Sequence, residues 1–313
     1  MPATLTLTSA AASFRQFNRA YTRFLGTLSD SYLSTEFSLA EGRVLYELAT
    51  HAGPQAKEVA ETLGLDAGYL SRILSKFEKA GLVVRATAAH DNRATNLLLT
   101  ARGKAAVRKL NLRADKQAHA ILAGLSENQR AKFSSALATI GQTVLGQKID
   151  PSSVILRSHR PGDMGAIVSL EGSGYVEQFG WDNSFEALVA RIVADFIAAY
   201  DPDREHCWIA EVDGQHLGHV FLVQHPDEPD TAKLRLLYVD PAARGLGLGH
   251  KLVAECVSFA RAAHYRKITL WTQSILTAAH RIYQAAGFRL VNEQPHHSFG
   301  KDLVGQTWEL DLL

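Results

Sequence analysis

Between Asp240 and Gly249 the chain reads Asp-Pro-Ala-Ala-Arg-Gly-Leu-Gly-Leu-Gly, followed by helical spacing that turns Leu252, Cys256, Phe259 and Ala260 to one side. A glycine-rich turn opening a helix presents backbone N–H groups at the positive end of the helix dipole, with no Cβ in the way. It can therefore hold a pyrophosphate. The dinucleotide pattern G-x-G-x-x-G fails, because Gly247 and Gly249 are followed by Leu252 where a third Gly or Ala belongs, and no Walker G-K-[ST] occurs. Residues that could take a proton in such a site are Glu171, Glu177, His159 and the pair His296-His297, none of them at a diagnostic spacing. Adjacent histidines on a strand face opposite sides and no further ligand stands at a recognisable spacing, so no metal is expected.

A second constellation lies in the first half. Ala56, Val59, Ala60 and Leu63 share a helical face that stops at Gly64. Asp66 then suits the N-cap of a helix whose apolar side is Leu70, Ile73, Leu74 and Phe77. Its other sides carry Tyr69, Ser71, Arg72, Ser75, Lys76 and Lys79. Two short helices joined by a tight turn, the second sending hydroxyl and basic groups outward, meet the needs of major-groove recognition. Leu82–Ala86 and Thr95–Leu99 read as strands flanking a polar tip at 88–93, which makes a wing. From Pro54 to Arg113 eleven Lys and Arg face five Asp and Glu, a surplus suited to phosphate neutralisation.

Elements on either side must hold these groups in place. Ser38 and Glu41 have capping-box spacing before Val44, Leu45 and Leu48, so a helix is expected from there to Gly53-Pro54. Longer helices are expected at about 11–28 and 101–146, with Phe14, Phe17, Tyr21, Phe24, Leu25, Leu137, Ile140 and Val144 at apolar spacing. The composition shifts at 146–153, where Pro151 breaks the helical run, and the domain boundary is read near 150. Beyond it, strands at 154–157, 207–212, 216–224, 233–239 and 267–271 alternate with helices at 163–178, 184–200 and 277–286, an α+β pattern. The 313 residues, 46% hydrophobic, suffice for two cores. A formal charge of +1 conceals an asymmetry: 19 Lys and Arg against 12 Asp and Glu over 1–150, and 14 against 20 over 151–313. The first half is suited to a polyanion, the second to something else, such as a cationic small molecule. Cys207 and Cys256 form no CxxC pair, no apolar run can span a bilayer, and no basic leader precedes an apolar stretch. These features favour a cytoplasmic protein with no membrane partner.

The order helix, helix-turn-helix, Asp91-Asn92-Arg93 wing, then Thr100-Ala101-Arg102-Gly103 opening a long helix resembles the MarR family of regulators over about 10–147. That resemblance implies double-stranded operator DNA as partner, with Arg93 in the minor groove, Asp91 orienting it, and Tyr69, Ser71, Arg72 and Lys76 on the recognition helix. It also implies a homodimer built on the outer helices. Arg244-x-x-Gly247-x-Gly249, preceded by Leu237-Tyr238-Val239 and followed by Tyr283-Gln284-Ala285-Ala286-Gly287-Phe288, resembles the GNAT family of N-acyltransferases over about 154–313. The expected whole is a mainly α winged-helix domain, 1–150, followed by an α+β GNAT domain with a mixed central sheet, 151–313. The second resemblance implies acetyl-CoA as co-substrate and a small amine as acceptor. The pantetheine would lie along Leu237, Tyr238 and Val239, and the pyrophosphate on Arg244, Gly245, Leu246, Gly247, Leu248 and Gly249. Tyr283 would serve as the acid for the leaving thiolate, since a phenol near pKa ~10 can donate to a thiolate of pKa about 8.5. Gln273 stands near the cofactor where many members have asparagine. A regulator whose second domain only senses an acyl-CoA or an amine is the alternative.

Overall fold

The structure is a computed structural model that describes residues 6–25, 31–88 and 91–312, the side chains at 87, 88 and 91–94 excepted. It divides into two compact units, Met1–Leu125 and Ser126–Leu313.

In the first unit α1 (Leu7–Phe24) opens on Thr6, whose hydroxyl accepts from the Ser9 N–H, and none of its residues is buried. Residues 26–28 of the helix expected there lie outside the described residues. The capping box forms as the sequence predicts at the start of α2 (Leu39–Thr50), with Ser38 Oγ 3.2 Å from the Glu41 nitrogen and Glu41 Oε2 2.9 Å from that of Ser38. α3 (Ala56–Leu63) ends at Gly64, which takes φ 61°, and α4 (Ala67–Lys79) starts at Asp66, which accepts from the Tyr69 N–H at 2.9 Å. Val44, Leu45, Val59, Leu70, Ile73, Leu74 and Phe77 bury their side chains together, closed from below by Leu82, Val83 and Leu97. Val83 and Leu97 belong to the wing hairpin, β1 (Val83–Ala88) and β2 (Asp91–Leu99), and Leu82 directly precedes it. The ladder reaches further than the sequence suggested: Ala88 pairs with Asp91, so most of the stretch read as a loop is strand. α5 (Ala101–Leu122) is capped by Thr100 Oγ1, which accepts from the Gly103 N–H at 3.1 Å. A Cβ on Gly103 would collide with the Leu82 carbonyl, which explains the glycine.

The helix expected from 101 to 146 is interrupted. Ser126 and Gln129 form another capping box, which starts α6 (Glu127–Leu145), and α6 belongs to the second unit. There Gln142 Nε2 donates to Gln215 Oε1 at 2.8 Å. The compact units therefore part at 125/126, ahead of the composition shift read near 150.

The second unit is built on seven strands: β3 (Ile155–Ser158), β4 (His206–Val212), β5 (Gln215–Gln224), β6 (Thr231–Val239), β7 (Lys267–Gln273), β8 (Arg289–Ser298) and β9 (Lys301–Asp311). Their order is β3-β4-β5-β6-β7-β9-β8. Only the β6–β7 neighbours run parallel, so the sheet is mixed. Strand alternation separates two cores. Cys207, Ile209 and Phe221 meet Ile167, Val189, Val193 and Phe196 of α7 (Asp163–Phe179) and α8 (Asn183–Ala199). Val220, Leu222, Leu234, Ile268 and Leu270 meet Leu252, Val253, Cys256 and Tyr283 of α9 (Leu248–Ala262) and α10 (Thr277–Ala285). Residues 293–300 are the end of edge strand β8 and its turn into β9.

Candidate functional site

β6 and β7 lie side by side only from the Thr231–Lys267 pair to the Leu234–Leu270 pair. Beyond it β6 stays with β5 as far as Val239, while β7 stays with β9 as far as Gln273. At the divergence Leu236 takes φ 51° and the β5–β6 register shifts, a bulge that bends β6 away. The β7-facing edge from Arg235 to Val239 is thereby left without a described strand partner. Leu237 and Val239 lean on the α9-side core, and the Tyr238 ring stacks on His219 at 5.4 Å. What these three residues offer the cleft is backbone.

β6 leads into the glycine loop. Asp240 accepts from the Ala242 N–H at 2.8 Å and starts a single tight turn, Pro241–Ala243. Gly245 and Gly247 then take φ 83° and 75°, and nothing lies within 4 Å of a Cβ built on either. Their glycine is required by backbone conformation, and the space above them is open. Gly249 differs: its Cβ would come 2.5 Å from Ile282 Cδ1, so it is there to let α9 approach α10. Leu248 is buried and Leu246 half-buried, anchoring the loop, while the first-turn N–H groups of α9 have no intrahelical acceptor. Arg244 is exposed, and its Nη2 donates to the neutral Gln178 Oε1 at 2.8 Å, which leaves its charge uncompensated by that contact.

A cavity of about 200 Å3 opens where the strands diverge, walled by Glu171, Trp181, Leu237, Gln273 and Tyr283 among others. Tyr283, 4% exposed, packs its ring near Phe288 and Trp308. Burial pushes its phenol well up, so it holds its proton at neutral pH. Glu171, 1% exposed, places Oε1 3.1 Å from His219 Nε2, and His219 Nδ1 lies 3.0 Å from His216 Nε2. Burial pushes the Glu171 carboxyl up to about 8 and both imidazoles down. The result is an uncharged chain of proton-carrying groups running back from the cavity. Gln273 ends β7 inside the same wall, 2% exposed, with Oε1 3.0 Å from His296 Nε2 and no partner for its own Nε2 among the described residues.

Of the proton acceptors named from sequence, only Glu171 reaches the cavity wall. Glu177 is exposed, His159 packs against Phe196 and Tyr200, and His297 pairs with Asp302 at 2.7 Å. His216 and His219 went unread because residues three apart on a regular strand face opposite sides. A bulge makes the difference: His216 pairs with Glu211 and Gly218 with Ala210, so Leu217 is the extra residue that turns both rings to one side.

In the first unit Tyr69, Ser71 and Arg72 are exposed on α4, with the Arg72 guanidinium 5.8 Å from the Tyr69 ring centre. Lys76 is engaged elsewhere: its Nζ is 2.6 Å from Glu41 Oε1 on α2. Asp91 and Arg93 lie on β2, and their side chains fall outside the described residues. A bridge between Gln55 and Asn96 ties the base of the hairpin to the start of α3.

Residues 175–288 match the Acetyltransferase (GNAT) family and residues 36–94 the MarR family. N-acetylaspartate synthetase of Danio rerio is 33% identical over 102 residues, 32% of this chain and 36% of that protein. An uncharacterized N-acetyltransferase of Schizosaccharomyces pombe is 30% identical over 125 residues, 39% of this chain and 75% of that protein. The chain thus spans most of the second relative and only 36% of the first. Among solved structures, an acetyltransferase of the GNAT family from Streptococcus pneumoniae aligns at TM-score 0.41 and 19% identity, over 50% of this chain and 99% of that one. A Salmonella typhimurium protein described as an acetyltransferase with its cofactor acetyl-CoA aligns at TM-score 0.44 and 20% identity, over 51% and 95%.

Proposed function

The chain belongs to the GNAT acetyltransferase family through residues 175–288 and carries a MarR-family segment at 36–94, and from that premise we propose a DNA-binding N-acetyltransferase. Its substrates are acetyl-CoA and a small amine. The observation that carries the reading is a free β6 edge that leaves a cavity holding two protonatable groups, Tyr283 and Glu171, and runs on into a glycine loop at a helix start.

Bound acetyl-CoA supplies the activated acetyl group. The 235–239 edge hydrogen-bonds the pantetheine, and the N–H groups at 245–249 with Arg244 hold the pyrophosphate. Glu171, held in place by His219, accepts the proton of the attacking amine, while the Tyr283 hydroxyl donates to the departing sulfur. Residues 1–150 bind double-stranded operator DNA as a homodimer, with Tyr69, Ser71 and Arg72 at base edges and Arg93, oriented by Asp91, in the minor groove. Lys76, already paired with Glu41, contributes less than its position on α4 suggests. Operator DNA as partner puts this work in the cytoplasm. Among the described residues no helix is long and apolar enough to cross a membrane.

The test is thiol release from acetyl-CoA with a panel of primary amines, alongside operator titration of the same protein. Turnover supports the enzyme. Acetyl-CoA binding that changes operator affinity with no thiol released by any amine would favour the sensing regulator instead.

A further inference from the structure

We propose that the acceptor amine also carries at least one carboxylate, as an amino acid does, and that Lys233, Arg235, Trp181 and Gln273 bind it. This rests on the acetyltransferase reading above and names the substrate class for the same cavity.

The cavity wall is rich in hydrogen-bond donors that lack acceptors. Lys233 and Arg235 alternate with Leu234 on β6, and Leu234 goes to the α9-side core, so both cations belong to the face covered by α7 and α8. Both are half-buried, and neither side chain makes an ion pair or hydrogen bond among the described residues. The Lys233 ammonium is disfavoured by burial and by Arg235, with Asp227 opposing; Arg235 is disfavoured by burial, with Asp195 of α8 opposing. Trp181 Nε1 and Gln273 Nε2, both fully enclosed, also lack partners among the described residues and belong to the same wall.

Buried donors in folded proteins are paired, and exceptions call for an explanation. Two such donors, Trp181 Nε1 and Gln273 Nε2, beside two half-buried cations on one cavity are explained by a ligand rich in acceptor oxygens and negatively charged. Glu171 is the only carboxyl on the described wall, and His219 already contacts it. A polyamine would set its positive charges against Lys233 and Arg235 with only Glu171, already in contact with His219, on the wall to offset them. The surplus of acid across 151–313, which pointed to a cationic acceptor, does not extend to this cavity. The same two cations favour the neutral form of a nearby amine, the form that attacks a thioester.

The experiment measures kcat/KM by thiol release on the full chain with acetyl-CoA and aspartate, glutamate, their uncharged diamides, and spermidine. An acidic acceptor should exceed its diamide by at least about tenfold. Arg235→Gln and Lys233→Met should each raise KM for the acidic acceptor about tenfold or more while acetyl-CoA affinity, read by calorimetry, stays within about twofold; retained acetyl-CoA affinity reports that the variant is folded. Arg235→Glu should move the preference toward spermidine. If diamides or spermidine are acetylated as well as the acids by the unaltered protein, the acidic-acceptor inference is wrong and the acetyltransferase reading survives. If acetyl-CoA binds and no amine releases thiol, the acetyltransferase reading fails and takes this inference with it.

Discussion

Glu171 and Tyr283 divide the proton traffic of the proposed reaction, and both owe their chemistry to burial. The Glu171 carboxyl keeps its proton up to about pH 8, so kcat/KM should rise as pH climbs toward that value and then level off. Glu171→Gln should be slow and lack that rising limb; a variant that retains both rate and limb would remove Glu171 from the role. The same shift has a stability consequence. Because the folded pKa is raised above the ordinary carboxyl value, the folded chain binds the extra proton between the two. The contribution of Glu171 is then full at acid pH and is lost as pH rises through about 8. Comparing Tm between pH 5 and 8 should show a shallower decline in Glu171→Gln than in the unaltered protein. Tyr283→Phe keeps the ring among Phe288 and Trp308 and deletes only the hydroxyl. Its kcat should fall by ~10²–10⁴-fold with the KM for acetyl-CoA little changed. A rate within about threefold of normal would rule out the phenol as the acid. Tyr283 was legible in the sequence because it sits in a recognisable run ending at Gly287-Phe288. Glu171 was only one polar residue among several, since its partners are assembled by a bulge at Leu217 that spacing does not reveal.

At the scale of elements, the glycine loop separates two demands that a sequence motif merges. Gly247 must reach φ 75° under open space, whereas Gly249 must leave room for Ile282. Gly247→Val puts a branched residue where the backbone is left-handed and a side chain where phosphate should lie. Donor affinity measured by calorimetry should fall at least about tenfold, the scale of ~1.4 kcal/mol; normal affinity would show that the phosphates go elsewhere. Most elements were readable because their ends carry local chemistry, as at Ser38, Gly64, Asp66 and Thr100. The break before α6 used the same chemistry at Ser126 and Gln129, but the apolar spacing on either side runs on with little change and hid it. β8 escaped for another reason: an edge strand with its residues largely exposed and Pro295 in its middle has no alternating apolar side to read.

For the whole molecule, the surplus of basic residues over 1–150 and of acidic residues over 151–313 suits the two tasks proposed, and α1 bears on how the first would be performed. Phe14, Phe17, Tyr21 and Phe24 recur at helical spacing, all are exposed, and the Phe17 and Tyr21 rings stack at 5.3 Å with nothing of α1 buried. An apolar stripe of this kind suits an interaction surface, and under the proposed two-fold operator binding a second copy of the chain is its occupant. Two recognition helices about one DNA turn (~34 Å) apart would then engage two half-sites, and linking the sites raises affinity ~10²–10⁴-fold over one alone. Phe17→Glu adds charge to the middle of that stripe. It should convert a dimer to a monomer in sedimentation equilibrium and lower operator affinity by about that avidity factor at fixed salt. Acetyl transfer, proposed for residues of β6, α7, α9 and α10, should keep its kcat. The converse follows for Tyr283→Phe, which should lose turnover and bind operator normally. A Phe17→Glu protein that stays dimeric would place the interface away from α1, and one that loses both activities while folded would show that operator binding and acyl transfer depend on the same assembly.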